Sequence, residues 1–464
     1  MASDTDTTLD EKFVKLQRAA KTFKNRRPKI QRVAEHLRKR ENIKEHYSPK
    51  LVSIGPIHHD SPNLKLGEKY KLMWTAKYTE NANLIPQNLH KKIADNIDEL
   101  KGLFADDVLT LTGDSLKGFR SLDEKLSWIL FVDGCSLLYI LENADFNNPW
   151  AMHIKFDQLA FVTMDVLLLE NQLPYLVLKL LWKNENETEL INTMKNLYKR
   201  CGQWPAPENT KIWRPHIQKK EEEQQHSVVI LIPNEPDECE LPTHLLDLYR
   251  TIIVTNSSRK TKSKEADNSN EGHKSSVENT MITYRNVEDL RRVGIKLRSS
   301  ATHAPIHINF CDGWFAARLT LPKIVVDNTT VLKYLNLIAY EMCPDFDNDY
   351  EISSLITFMT SLIDHAEDVK ELRSKGVLLN CLGSDEEVAH LFNIISNDLV
   401  SNPMTYLEVR DKIHKHYCNT FKTWIALGIH TYFNNPWAFI AFLAAFIALA
   451  LTFVQTWFAI NPAC

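Results

Sequence analysis

Apolar positions recur along most of this chain at intervals of three and four. Ile93, Ile97, Leu100 and Phe104 form one such stripe and Leu190, Met194 and Leu197 another; each predicts a helix that buries one face. Leu126 to Leu141 is apolar nearly all round, which predicts a helix in the middle of the body. From Asp165 to Leu178 the chain reads DVLLLENQLPYLVL. Pro174 disfavours helical geometry at Leu173, so two buried helical pieces joined at a kink are expected. Val287, Leu290 and Val293 predict a short helix with Arg291 and Arg292 in its last turn and Gly294 as the C′ cap. Period-two patterning is confined to Ile306–Cys311, Phe315–Leu321 and Ile324–Val326, short runs broken by Asp-Gly and Pro322. Asp327 or Asn328 then stands where a cap is needed for a helix through Leu332, Leu335, Ile338 and Met342. The expected fold class is mainly α: a helical body, a small antiparallel β ribbon near residues 295–327, and one C-terminal transmembrane helix.

That last helix is Trp437 to Ile460, an uncharged run of Ala, Phe, Leu and Ile interrupted only by Thr452, Gln455 and Thr456. Roughly 20 apolar residues suffice to cross a hydrocarbon core of about 30 Å, and Trp437 and Trp457 are spaced to sit near the two interfaces. Arg410, Lys412, Lys415 and Lys422 precede the run and no charged residue follows it. Positive-inside bias therefore predicts a single-pass C-terminal anchor, in the plasma membrane or an endomembrane, with the body in the cytoplasm. The acidic, polar start from Met1 to Asp10 is unlike a secretory signal. Sequons at Asn186, Asn256 and Asn328 offer a test of that topology.

Thr255 to Thr280 has no aromatic and almost no apolar residue, which predicts a disordered insertion, because such a segment cannot offset the entropy of ordering. The expected organisation is a basic extension over residues 1–29, a helical part over 30–254, the insertion over 255–280, a second part over 281–435 and the membrane span over 437–460. No repeat of 20 to 50 residues occurs. Between Glu11 and Lys50 there are 14 Lys and Arg against four Glu, which fits a solvated helix face or a local basic patch. Over the whole chain 55 Lys and Arg meet 59 Asp and Glu, for a net charge of −4, so no global field attracts nucleic acid. Glycine is scarce, 13 in 464 residues, which disfavours folds that cradle phosphates in glycine turns.

Candidate chemistry is sparse. His58 and His59 with Asp60 offer metal-ligand side chains, but neighbouring residues of an extended segment point to opposite sides. Hydrogen bonding that pins a turn is the expected role. His303 and His307 are separated by Pro305, which argues against one helical face. Asp133, Asp165 and Glu170 lie inside apolar runs. Such carboxylates either act as general acid and base or bind backbone amides and arginines, and the structural role is the one expected. Glu170, Asn171 and Gln172, just ahead of Pro174, are placed to satisfy backbone groups freed there. The eight cysteines show no metal spacing and are expected to be buried reduced thiols. No H-E-x-x-H, G-x-S-x-G or P-loop string is present. No catalytic, metal or cofactor residue is therefore assigned, and no cofactor is expected.

Taken in order, several segments resemble the plant family called Domain of Unknown Function 247. They are Ile30 to Arg38, VSIGPIHHD at Val52 to Asp60 with Gly55 and Pro56 at its centre, Glu68 and Lys71, and FVDGCSLLYIL at Phe131 to Leu141. LLLENQLPYLVL follows at Leu167 to Leu178, then HLLDLYR at His244 to Arg250 and NLIAYE at Asn336 to Glu341. Ala34 stands where the opening motif prefers proline, Ile57 where an aromatic is usual and Asp60 where glycine is common. The resemblance covers about residues 30 to 460. It implies a plant-specific, mostly helical, membrane-attached protein, and some grass members of that family are regarded as pollen-side determinants of self-incompatibility. The function expected is a non-enzymatic recognition protein, held to a lipid bilayer by its C-terminal helix and bound to a protein partner. The alternatives are an unidentified hydrolase or metalloenzyme using His58, His59 and the buried carboxylates, and an ordinary paralogue in stress or developmental signalling.

Overall fold

The computed structural model describes residues 13–14, 16, 28–113, 116, 118–202, 241–258, 286–300, 306–313, 317–397, 399–419 and 436–460. Its contacts divide the chain into two units, one formed by residues 1–259 with 328–353 and the other by 260–327 with 354–464.

The first unit is built around the helix that the all-round apolar run predicts. Helix α1 spans Lys65–Asn81 and α2 spans Leu122–Asn143. Ser121 caps α2 by accepting the Glu124 N–H at 3.2 Å. The apolar window of α2 is 83% buried, so this helix, long enough to cross a membrane, is a core element. Each of its fully buried Leu and Ile side chains contributes about 1.5–3 kcal/mol. Arg200 covers the free carbonyls of Leu141 and Glu142 at the C-terminal end of α2. Ile93, Leu100 and Phe104 are fully buried and Ile97 packs at the edge of the same core. Leu190, Met194 and Leu197 are buried there too.

Helix α3 spans Phe156–Asp165 and α4 spans Tyr175–Leu181. The residues between them are not helical, so a buried loop replaces the kink expected from Pro174, and that proline is the residue preceding α4. The physical reason is competition: Asn171 and Gln172 bond to backbone carbonyls in the loop, which offers the chain an alternative to helical hydrogen bonds. Helix α5 spans Leu245–Ser258, so the chain remains helical four residues into the stretch expected to be disordered. The rest of that stretch, 259–280, lies outside the described residues. Helix α6 spans Thr330–Glu341, and its N-cap residue is Thr329 in place of Asp327 or Asn328.

In the second unit Val287–Arg292 is the short helix expected, followed by Gly294 at φ 83°. The sheet is mixed. Strand β1 (Ile295–Ser299) runs parallel to β3 (Ala317–Leu321), and β2 (Asn309–Cys311) pairs antiparallel on the other side of β3. Strand β4 (Ile324–Val326) pairs in parallel with β5 (Leu378–Asn380) in a separate two-stranded sheet. The small β element is thus present, but only the β2–β3 pair has the antiparallel sense expected of a ribbon. Helix α7 spans Leu407–Tyr417 and α8 spans Pro436–Ile460. Within α8 the window Ile440–Trp457 is long and apolar enough to cross a membrane, and none of it is buried.

Candidate functional site

The VSIGPIHHD segment is held by side chains that arrive from far along the chain. Asp165, the last residue of α3, accepts the N–H groups of Lys50 at 2.9 Å and of Leu51 and Val52 at 2.8 Å. Asn171 accepts the Ile54 N–H at 2.6 Å and donates to the carbonyls of Val52 and Asp165, both at 2.9 Å. Asp133 of α2 accepts the Gly55 N–H at 2.8 Å. Five amides of residues 50–55 are thereby paired with side chains in place of a neighbouring strand, which removes the penalty of burying them.

Two glycines permit this packing. Gly55 has φ 80°, and a Cβ there would lie 2.8 Å from the Gln172 carbonyl oxygen. Gly67 of α1 lets that helix press directly on the segment, since a Cβ would fall 1.9 Å from the Leu51 carbonyl oxygen. Pro56 is buried beside Gly55. Asp60 has φ 67°, a left-handed conformation that favours glycine. It is exposed and lies 3.6 Å from Lys125.

Beneath the segment is a buried ion pair. Lys71 Nζ lies 2.6 Å from Asp133 Oδ1 and 2.8 Å from Glu68, and donates to Ser53 Oγ at 3.2 Å. Burial pushes the Asp133 carboxyl up to about 6 against the pull of Lys71. Burial alone would lower the Lys71 ammonium, but Asp133 and Glu68 outweigh it and hold the group above its ordinary value. Both groups are charged at neutral pH. Burial likewise lifts Asp165 to about 6, opposed by the three amides it accepts.

The other motif side chains act in the same way. Glu170 accepts the Val33 N–H at 2.8 Å and lies 3.5 Å from Arg38. Gln172 accepts the Leu246 N–H at 2.9 Å and donates to Val166 and Leu168. Asn336 of α6 accepts the Leu169 N–H at 2.9 Å and donates to the His46 and Leu332 carbonyls. Glu341 accepts the N–H groups of Ile352 and Ser353 and the Ser353 hydroxyl, and pairs with Arg250 at 2.9 Å. Glu170, Asn171, Gln172, Asn336 and Glu341 are all at most 2% exposed.

The histidines diverge. His58 Nε2 stands 3.1 Å from Glu170 Oε2 but off a hydrogen-bonding line, so the contact is electrostatic when the ring is protonated. His59 turns to Asp60 at 3.8 Å, and burial, with Lys71 nearby, lowers its pKa. Among the described residues no three His, Cys, Asp or Glu side chains are grouped to hold a metal ion. His303 lies outside the described residues. Cys135 and Cys343 are buried thiols, whereas Cys311, Cys381 and Cys418 are exposed, contrary to the expectation for the cysteines as a set. Sequence reasoning named Lys71 only as a motif residue and missed Ser53 and Arg250 as partners. The Glu68 to Lys71 spacing of three was the available signal for one of these contacts.

No solved structure matches this chain. UPF0481 protein At3g47200 of Arabidopsis thaliana is 26% identical over 432 residues, covering 89% of this chain and 83% of that protein. Putative UPF0481 protein At3g02645 of the same plant is 23% identical over 469 residues, covering 88% and 86%. The profile of DUF247, described as plant protein of unknown function, matches residues 30–451, the span that contains every motif side chain described above. The chain is a member of that plant family.

Proposed function

We propose that this protein is a membrane-attached interaction protein without catalytic activity, tethered by α8 with its body on the cytoplasmic side. One observation carries the reading. The polar motif residues Asp133, Asp165, Glu170, Asn171, Gln172, Asn336 and Glu341 are all buried and bonded to groups of this same chain. Side chains engaged in this way fix a scaffold and leave specificity to its surface. The bare apolar helix supports attachment to a bilayer. The finer reading, pollen-side self-recognition, rests on the family resemblance.

A hydrolase is the competing reading, favoured by the Glu170–His58 contact, in which a buried carboxylate stands beside a partly exposed imidazole. Replacing His58 by Gln separates the two. As an interaction protein the variant keeps its partner binding once corrected for the amount of folded protein, whereas a hydrolase retains its fold and loses turnover. For the finer reading, exposed segments are exchanged between two allelic forms in pollen. Recognition specificity that does not follow the exchanged surface overturns it. Deleting residues 436–464 should release the protein from membranes on fractionation, and retention there would defeat the tether.

A further inference from the structure

The three-stranded sheet of the second unit has one apolar and one basic face. Strand alternation sends Ile295, Leu297, Phe310, Ala317, Leu319 and Leu321 inward, where all are buried. The opposite positions, Lys296 and Arg298 of β1, Arg318 of β3, and Asn309 and Cys311 of β2, are exposed. Register sets them in two rows. Lys296 stands opposite Arg318 and Arg318 opposite Cys311, while Arg298 stands opposite Thr320 and Thr320 opposite Asn309. Neighbouring strands lie about 4.8 Å apart and alternate residues of one strand about 7 Å, so three cations crowd one small face. Two like charges directly opposite each other destabilise a sheet. Among the described residues none of the three pairs with a carboxylate, for Glu288 and Asp289 face Arg292, and Asp312 lies 2.9 Å from His416. A cation cluster left without partners at that cost marks a surface for anions.

We propose that this face docks on the anionic lipid headgroups of the membrane that α8 enters and holds the sheet against the bilayer. The inference rests on reading α8 as a tether and the body as cytoplasmic, since the cytoplasmic leaflet carries the anionic lipid. Charge complementarity gives the chemistry: the cations meet phosphate and carboxylate groups, and Asn309 and Thr320 add hydrogen-bond donors. Connectivity gives the source. The sheet, α7 and α8 belong to one unit, and α7 packs behind the sheet, the Phe310 and His416 rings meeting edge-on with centroids 6.0 Å apart. From the end of α7 at Tyr417 to the start of α8 at Pro436 the chain has about 18 residues, which reach roughly 60 Å when extended. That is ample to carry it round a sheet three strands wide to a bilayer in front of it. Strength points the same way. Each cation near an anionic surface improves binding about fivefold, so three give about a hundredfold. This is too little to capture a free acidic protein or nucleic acid from solution, but sufficient where a tether already holds headgroups at high local concentration.

The test places the full-length protein in nanodiscs of phosphatidylcholine alone or of phosphatidylcholine and phosphatidylserine in equal parts. Cys311, in one row with Lys296 and Arg318, probes the face, and Cys381, exposed just beyond β5, is the control. Both are labelled with an uncharged polyethylene glycol maleimide and their rates are read by mass spectrometry. Phosphatidylserine should slow Cys311 about tenfold or more and leave Cys381 nearly unchanged, and raised salt should remove the difference. Replacing the three cations together, Lys296→Gln, Arg298→Gln and Arg318→Gln, should abolish the slowing; all three are exposed, so the fold is kept. Equal Cys311 rates in the two discs, or slowing that persists in the triple variant, overturn the proposal. So does a glutamate-rich peptide or an oligonucleotide that slows Cys311 in neutral discs more than phosphatidylserine does, since the occupant is then a protein or a nucleic acid. The tether is scored separately, by co-elution with neutral discs. Protein that elutes free of neutral discs but joins the anionic ones, with Cys311 slowed, refutes the tether and keeps the docking face. Protein free of both refutes the two together.

Discussion

Asp165 holds Val52 across 113 residues of chain, its Oδ2 accepting the Val52 N–H at 2.8 Å. The same carboxylate accepts Lys50 and Leu51, so one side chain at the end of α3 replaces three partners that a neighbouring strand would otherwise provide. Its removal leaves amides without acceptors in a dry environment, where each orphan costs about 1–3 kcal/mol. Asp165→Ala should therefore destabilise the protein by about 3 kcal/mol or more. Asp165→Asn should cost less, since one oxygen still accepts. Urea denaturation of the detergent-solubilised protein measures both, and equal loss in the two variants would contradict this account.

Gly67 tests the packing of α1 against the same segment. A methyl group there would overlap the Leu51 carbonyl oxygen, which is backbone and pinned by its neighbours. Gly67→Ala should cost more than about 3 kcal/mol, beyond the usual 1–3 kcal/mol for overpacking, because the obstacle has no rotamer to change. Gly113→Ala is the control: the nearest atom to a Cβ there is a Leu122 methyl carbon at 4.0 Å. That change should be neutral. A normal yield and melting point for Gly67→Ala would show that the helix and the segment can separate without loss.

The pH dependence of stability should carry a signature of His244. This fully buried imidazole caps α5 by accepting the Asp247 N–H at 3.1 Å through Nδ1, which requires that nitrogen to be unprotonated. Burial pushes its pKa down to about 4, against about 6.5 when unfolded. Between these values the unfolded chain binds more proton, so stability is full above pH 6.5 and falls as pH drops toward 4. The loss amounts to roughly 3 kcal/mol at about 1.4 kcal/mol per pH unit. Asp133 and Asp165, both raised to about 6, contribute the opposite slope between pH 4 and 6. A comparison with His244→Asn cancels them, because asparagine preserves the cap and does not titrate. The two stability curves should converge as pH falls; parallel curves would rule out a neutral His244 as the cause.

Helix α2 was legible because Leu126 to Leu141 offers no polar face to solvent, and the short helix Val287–Arg292 because Gly294 stands just past its two closing arginines. Strand β1 was harder: Ile295 and Leu297 are buried between exposed Lys296 and Arg298, but five residues are a short signal. Its parallel pairing with β3 depends on a crossover that periodicity does not encode. Strand β5 has three residues, below any recognisable pattern. The loop between α3 and α4 was misread because a run of leucines around one proline looks like two helices. What decides it is that Gln172 and Asn171 reach carbonyls within the loop, a tertiary competition invisible to spacing. Of the site, the sequence pointed to Asp133, Asp165 and Glu170 as carboxylates inside apolar runs, and all three are buried. It could not show that Asp165, Asn171 and Asp133 converge on one segment.

The pairing of Lys71 with Asp133 makes the last prediction. Both side chains are at most 1% exposed, and the carboxylate also accepts the Gly55 N–H. Lys71→Met leaves an uncompensated buried carboxylate, and breaking a buried pair from one side costs about 3–5 kcal/mol. Adding Asp133→Asn removes the orphaned charge yet preserves an acceptor for Gly55. The double variant should therefore recover stability relative to Lys71→Met alone, with a coupling energy of about 2 kcal/mol in a double-mutant cycle. Additive losses would mean that the two groups act separately. A loss from Asp133→Ala much larger than that from Asp133→Asn would instead place the main contribution in the Gly55 amide and reduce the ammonium to a bystander.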